Sequence, residues 1–181
     1  MIKGVVVKNI SGQVEVNSFD KNYTCSIRKT VKMKDPRSEQ INERVMIGDN
    51  VIIDEKTMAI EQILPRRNEL KRPHVSNIDC LLIFLSPLPE PDFYLVDKII
   101  MQADALALEN YIIINKSDEA SNEFICNVKD QYNGVVNGIY VISSKENKID
   151  AGLIKLLKGK LTALAGQSGV GKSTFINAMM G

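Results

Sequence analysis

Short β-branched runs dominate the first third of the chain. Residues 5–7, 12–16, 23–28, 45–53 and 59–63 are apolar-rich stretches separated by Gly, Asn and Asp, which is the rhythm of short strands joined by tight turns. Five such strands suit a small closed barrel, and an OB-fold is the expected form. The Gly48-Asp49-Asn50 turn leads into Val51-Ile52-Ile53 as a hairpin would, and residues 34–42 read as a mobile loop. Between Leu64 and Asn77 the chain turns polar and Pro-containing, the composition of a linker. From Ile78 the period changes. Residues 78–86 form an apolar run fit for a buried strand, closed by Pro87, Pro89 and Pro91. Phe93, Val96, Ile99, Ile100 and Ala103 then recur at helical spacing. Residues 111–114, 139–142 and 161–165 read as further strands and 119–131 as a helix. Ile149, Leu153, Leu156 and Leu157 lie on one face of another helix, and Phe175, Ile176, Met179 and Met180 give the last segment a helical apolar face. Alternating strands and helices predict a parallel α/β sheet with functional loops at the strand C-termini. The expected organisation is an OB-fold domain over 1–63, a basic linker over 64–77 and an α/β domain over 78–181.

The chemistry is densest where the last strand meets the last helix. Gly166-Gln167-Ser168-Gly169-Val170-Gly171-Lys172-Ser173-Thr174 fits G-x-x-x-x-G-K-[ST], and each position has a mechanical job. Gly166, Gly169 and Gly171 let backbone N–H groups turn inward around phosphates, where a Cβ would obstruct the approach. Lys172 supplies a point charge between the β- and γ-phosphates and is the candidate for catalytic charge stabilisation. Ser173 Oγ is placed to bind Mg²⁺, and the helix directs its positive end at the anion. A glycine-rich turn is the bland alternative, and the strand before and helix after argue against it.

Asn115-Lys116-Ser117-Asp118 follows the β-rich run at 111–114. A buried Asp118 carboxylate accepts from both N1–H and the N2 amine of guanine. Adenine offers neither donor, so ATP would leave that carboxylate unpaired. Asn115 and Lys116 brace the loops, with the Lys116 stem along the base. Ser143-Ser144-Lys145, after the strand at 139–142, fits a third base-contacting loop whose backbone N–H groups reach guanine O6; alone it would be a turn. A phosphate loop downstream of the guanine motif inverts the usual order. The helix after Lys145 runs back antiparallel to its strand, so the short Lys158-Gly159-Lys160 joint suffices to reach the phosphate-loop strand, and permutation needs no long crossover.

Arg66-Arg67-Asn68, Leu70, Arg72-Pro73, Asn77 and Asp79, followed by the guanine motif, Ser143-Ser144 and the phosphate loop in permuted order, resemble the ribosome small subunit-dependent GTPase A family (RsgA, also YjeQ) over essentially the whole chain. The resemblance implies an N-terminal OB-fold that binds RNA, a circularly permuted GTPase domain using GTP or GDP with Mg²⁺, and a C-terminal zinc-binding domain. It also implies late maturation of the small (30S) ribosomal subunit, with GTP hydrolysis stimulated by that particle. The sequence departs from the family after Gly181: no Asp in the chain has Gly three positions later, so D-x-x-G is absent, as are the switch Thr and the zinc domain. On this reading the chain is truncated. It is expected to bind nucleotide weakly and hydrolyse GTP little, and to contain no zinc ligands.

Composition changes the picture little. The chain has 181 residues, 44% hydrophobic and 25% charged, as in an ordinary globular fold, and no run approaches the roughly 20 apolar residues of a membrane span. The start, Met1-Ile2-Lys3-Gly4, lacks a secretory h-region. A cytoplasmic monomer without membrane partners is expected. Cys25, Cys80 and Cys126 are odd in number and widely spaced, which argues against disulfides or a zinc pair and for small core residues. His74, beside Pro73, has no ligand partners at metal spacing and is read as structural or surface. Residues 1–77 carry 14 Lys and Arg against 10 Asp and Glu, and residues 78–181 carry 9 against 12. The excess gathers in Arg28, Lys29, Lys32, Lys34 and Arg37 and in Arg66, Arg67, Lys71 and Arg72. With Tyr23 or Phe19 for stacking, the first cluster suits RNA phosphates, or equally a solvated loop; the resemblance points to ribosomal RNA. Two other readings stay open: a non-catalytic RNA-binding module with a structural nucleotide site, and an ATP-dependent kinase or transporter fragment, which Asp118 disfavours.

Overall fold

The computed structural model describes residues 1–10, 13–19, 21–33, 44–71 and 73–180, and the chain forms two compact units, Met1–Ile78 and Asp79–Gly181. In the first, β1 (Ile2–Ile10), β2 (Gln13–Ser18), β3 (Lys21–Met33), β4 (Asn50–Asp54) and β5 (Ala59–Ile63) close a barrel in the order β1-β2-β3-β5-β4. All pairs are antiparallel except β3 with β5, giving an OB-like Greek-key barrel. Period-two alternation builds it: Val14 and Val16 of β2 and Val51 and Ile53 of β4 point inward beside Val6, Ile60 and Ile63. Gly4 is required where β1 crosses β2, because a Cβ there would meet the Asn17 carbonyl at 2.7 Å.

The apolar run at 45–53 is a strand only from Asn50 onward. Met46 N–H donates to Asp49 Oδ2 (2.8 Å) and Asp49 N–H to the Met46 carbonyl (3.1 Å), so a tight turn overrides the β-propensity of Val45 and Ile47. The expected loop at 34–42 and the start of the 12–16 run lie outside the described residues.

The polar stretch 64–77 carries a hairpin, β6 (Glu69–Lys71) paired antiparallel with β7 (His74–Ser76), and Arg66, Asn68, Ser76 and Asn77 have internal partners. Asp49 is fully buried and accepts from Arg66 Nε (2.7 Å), Arg66 Nη2 (2.9 Å) and Ser76 Oγ (2.6 Å). Burial opposes the Arg66 charge, but Asp49 and then Glu69 outweigh it and hold the guanidinium protonated above its usual range. Asn77 Nδ2 donates to the Gly48 carbonyl at 2.9 Å, and Asn68 exchanges two hydrogen bonds with the main chain of Ile78. Leu70 is buried and His74 exposed.

The second unit is a four-stranded parallel sheet, order β10-β9-β8-β11, built from β8 (Cys80–Leu85), β9 (Glu109–Ile114), β10 (Gly138–Val141) and β11 (Thr162–Gly166). Every residue of β8 is buried, as expected for a strand covered on both faces. Helices α1 (Phe93–Ala105), α2 (Asn122–Tyr132) and α3 (Ala151–Leu157) start at capping side chains: Asp92, Ser121 and Asp150 accept from Leu95, Phe124 and Leu153 N–H. β11, the strand that leads into the glycine-rich run at 166–174, comes last in the chain and pairs parallel with β8.

Two sequence expectations fail locally. In α4 (Lys172–Met180) Phe175 is buried and Met179 packs against the same core cluster, but Ile176 and Met180 are exposed. One residue is about 100° of helix, which carries them off the core-facing stripe. Cys25 and Cys80 are buried, whereas Cys126 is exposed on α2. Among the described residues no helix is long and apolar enough to cross a membrane.

Candidate nucleotide-binding site

The parallel sheet brings its strand C-termini to one edge, and the three expected loops meet there. After β11 the chain turns through Gly166, Gln167, Ser168, Gly169, Val170 and Gly171 into α4, with φ of +126°, +83° and +92° at the three glycines. A Cβ on Gly166 would strike the Phe84 main chain, and one on Gly171 the Asn115 side-chain nitrogen. The first helical bond of α4 is Phe175 N–H to the Gly171 carbonyl. The N–H groups of residues 169–174 meet no acceptor among the described residues, which leaves an anion cradle at a helix N-terminus. Lys172 Nζ donates to the Gly166 and Gln167 carbonyls at 2.9 and 2.7 Å, and burial lowers its pKa.

Asn115 ties the guanine motif to this cradle. Its Nδ2 donates to the Val170 carbonyl at 2.9 Å, while Oδ1 accepts from Ser144 N–H (3.1 Å) and Ser144 Oγ (2.9 Å). One buried side chain therefore joins all three loops. Lys116, at φ +58°, donates to the Leu88 carbonyl at 2.6 Å, and Ser117 N–H donates to Ile142 O at 3.0 Å. Asp118 is exposed rather than buried; it accepts from Ser143 Oγ at 2.6 Å, and this bond, followed by the nearby Lys145 and Lys148 charges, lowers its pKa. Of the donors expected in the third loop, Ser143 N–H is engaged by the Lys148 carbonyl and Ser144 N–H by Asn115. The N–H of Lys145 has no acceptor among the described residues.

Sequence reasoning missed the loop between β8 and α1. The Leu88 carbonyl accepts from Ser86 Oγ (2.8 Å) as well as Lys116, the Pro89 ring lies 3.5 Å from where a Gly169 Cβ would stand, and Asp92 N–H donates to Gln167 Oε1 at 3.3 Å. This loop braces both the base side and the phosphate side. Its signal was the proline cluster directly after a strand at the functional edge.

Ser173 and Thr174 are exposed in the first turn of α4. Among the described residues no three His, Cys, Asp or Glu side chains group as a metal site. Ser173 Oγ stands beside the phosphate cradle, which fits an ion held mainly by phosphate oxygens and water.

The sequence over residues 63–181 matches the RsgA GTPase family model. The small ribosomal subunit biogenesis GTPase RsgA of Carboxydothermus hydrogenoformans is 35% identical over 99% of this chain, and its namesake in Thermotoga maritima is 32% identical over 98%. The chain spans 61% and 60% of those relatives' lengths. Among solved structures, YjeQ from Thermotoga maritima aligns with a TM-score of 0.77 at 30% identity, covering 98% of this chain and 64% of that one. YloQ, a circularly permuted GTPase, aligns at 0.70 and 28%, covering 98% and 63%. With the permuted sheet and its converging loops, these matches establish that the chain belongs to the RsgA GTPase family.

Proposed function

We propose that the chain supplies the nucleotide-binding and RNA-binding parts of a cytoplasmic GTPase acting in late maturation of the small ribosomal subunit. The observation that carries this reading is the Asn115 bridge, which sets the guanine motif beside the phosphate cradle within reach of one nucleotide. Asp118 accepts from guanine N1–H and N2, Asn115 fixes the loops, and Lys145 N–H is the donor available to O6. Lys172 leaves the Gly166 and Gln167 carbonyls for the phosphates, where its charge stabilises the phosphoryl-transfer transition state. Ser173 Oγ would hold Mg²⁺, which when bound neutralises charge on the phosphate oxygens. Residues 64–77 join the RNA-binding barrel of 1–63 to the GTPase domain of 78–181.

Ribosomal RNA binding rests on the barrel. Phe19, at the turn after β2, is 97% exposed, and Lys21 Nζ sits 5.1 Å from the Tyr23 ring centroid, so aromatic and cationic surface adjoin. The side chains of Arg28, Lys29, Lys32, Lys34 and Arg37 lie outside those described. Since none of the chain's Asp residues begins D-x-x-G, these 181 residues hold nucleotide without efficient turnover, and stimulation by the small subunit belongs to the whole protein, acting as a monomer.

Binding of GTP against ATP, repeated with Asp118→Asn and xanthosine nucleotide, tests the base assignment. Indifference to the base would sink it. Turnover with and without small subunits tests the hydrolytic part, and rapid steady-state hydrolysis by the chain alone would refute inefficient turnover.

A further inference from the structure

The turn between α2 and β10 carries two Asn-Gly pairs, Asn133-Gly134 and Asn137-Gly138. Asparagine before glycine is chemically labile, because the next main-chain nitrogen can close a five-membered ring onto the side-chain carbonyl carbon and glycine has no side chain to obstruct it. Both asparagines are exposed, so water reaches each. Their bonding separates them.

Asn137 is held on several sides. Its Oδ1 accepts from Asn110 N–H at 2.8 Å, its own N–H donates to the Asn110 carbonyl at 2.9 Å, and Gly138 stands opposite Tyr111 where β10 pairs with β9. Asn133, at the C-terminal cap of α2, is tied through its N–H to the Lys129 carbonyl at 2.8 Å. Among the described residues its side chain, its carbonyl and the Gly134 N–H have no hydrogen-bond partner. The peptide plane joining 133 to 134 therefore turns without breaking a bond. That turn is required, since a ψ of 126° at Asn133 sets the Gly134 nitrogen out of line with Cβ. Gly134, at φ +78° with no atom within 4 Å of where a Cβ would stand, takes up the compensating rotation.

We propose that Asn133 is a self-modification site at which the chain deamidates, with water as the co-reactant. The Gly134 nitrogen gives up its proton and bonds to Asn133 Cγ; the Cγ–Nδ2 bond breaks, and Nδ2 leaves as ammonia with a proton in exchange. Water then opens the cyclic imide at either carbonyl carbon. Opening on the main-chain side leaves isoaspartate at 133 and opening on the side-chain side leaves aspartate, with nothing oxidised or reduced. Either product adds a negative charge at the C-terminal end of α2, where the helix dipole disfavours it, and isoaspartate lengthens the main chain by one carbon. None of these atoms belongs to the nucleotide loops, so the inference stands apart from the proposed GTP binding.

The folded chain is aged in mildly alkaline buffer and digested, and products at 133 and 137 are resolved by liquid chromatography and told apart by mass-spectrometric fragmentation. Aspartate and isoaspartate accumulate at 133 at least tenfold faster than at 137, with isoaspartate the larger share. In urea the two sites react within twofold of each other. Gly134→Ala slows the reaction at 133 at least fivefold in urea, where strain in the native turn plays no part. Equal rates at the two sites in the folded chain, a site 137 that stays slow in urea, or indifference to Gly134→Ala would overturn the proposal. Aspartate without isoaspartate, the mark of direct hydrolysis, would overturn it too.

Discussion

The side-chain nitrogen of Asn115 stands where a Cβ on Gly171 would have to go. That nitrogen also donates to the Val170 carbonyl, so any side chain at 171 breaks the link between base and phosphate loops while occupying a φ of +92°. Gly171→Ala is expected to weaken nucleotide binding about fivefold or more, from strain and lost hydrogen bonding of about 1–3 kcal/mol. Titration with a fluorescent GDP analogue checks this, and affinity within twofold of the parent would contradict it.

If Asp118 reads guanine as proposed, Ser143 is expected to set the acid limit of that recognition. Its hydroxyl, ahead of Lys145 and Lys148, holds the Asp118 carboxyl below its ordinary value. A depressed carboxylate keeps its charge, and whatever that charge stabilises, until pH falls through the lowered folded pKa. In Ser143→Ala the carboxyl rises back toward its ordinary value, so guanine affinity is expected to be lost at a higher pH than in the parent. Overlapping acid limbs in affinity-against-pH curves would exclude this role.

Removing Asp49 takes from Arg66 the buried partner of its charge, with Glu69 still beside it. The Asp49 side chain is wholly buried and that of Arg66 only 7% exposed, and breaking one side of such a pair costs about 3–5 kcal/mol. Asp49→Ala should lower the denaturation free energy of the first unit by that order, whereas replacing both with apolar residues of similar volume should restore much of it. A double-mutant cycle in urea, with hydrogen exchange read in β4 and β6, gives the measurement.

The thiols should separate by access. Burial raises the pKa of both Cys25 and Cys80, while Cys126 is exposed. A neutral-pH disulfide reagent is expected to modify Cys126 quickly in the native chain and the other two only on unfolding, and Cys126→Ser should abolish the fast phase. A fast phase surviving that substitution would show that a buried thiol opens readily.

Much of the site was legible because its chemistry demands particular residues at fixed spacing. Gly166 and Gly171 are glycines because backbone and the Asn115 amide occupy the space beside them, and such requirements show directly in a motif. The barrel was legible because each strand has one wet face and one dry face. The hairpin at 69–76 was not, since Arg66 and Ser76 bond to Asp49 and Asn68 and Asn77 to the main chain, polar contacts that composition cannot distinguish from solvated chain. The Leu88 contribution was hidden for a different reason: it is a carbonyl, which every residue has. Ile176 and Met180 misled because apolar identity alone does not say which way a short helix is turned.

The position of β11 beside β8 bears on how the molecule comes into being. Cys80 and Thr162 touch across 82 residues, so a ribosome makes the loops at 115–118 and 143–145 before it makes the strand that pairs with β8. Until β11 emerges, one side of β8 lacks its neighbour and no phosphate cradle exists. On the proposed reading, a nascent chain stays blind to nucleotide until residue 174 has been added, and ligand binding waits for the moment when β11 pairs with β8.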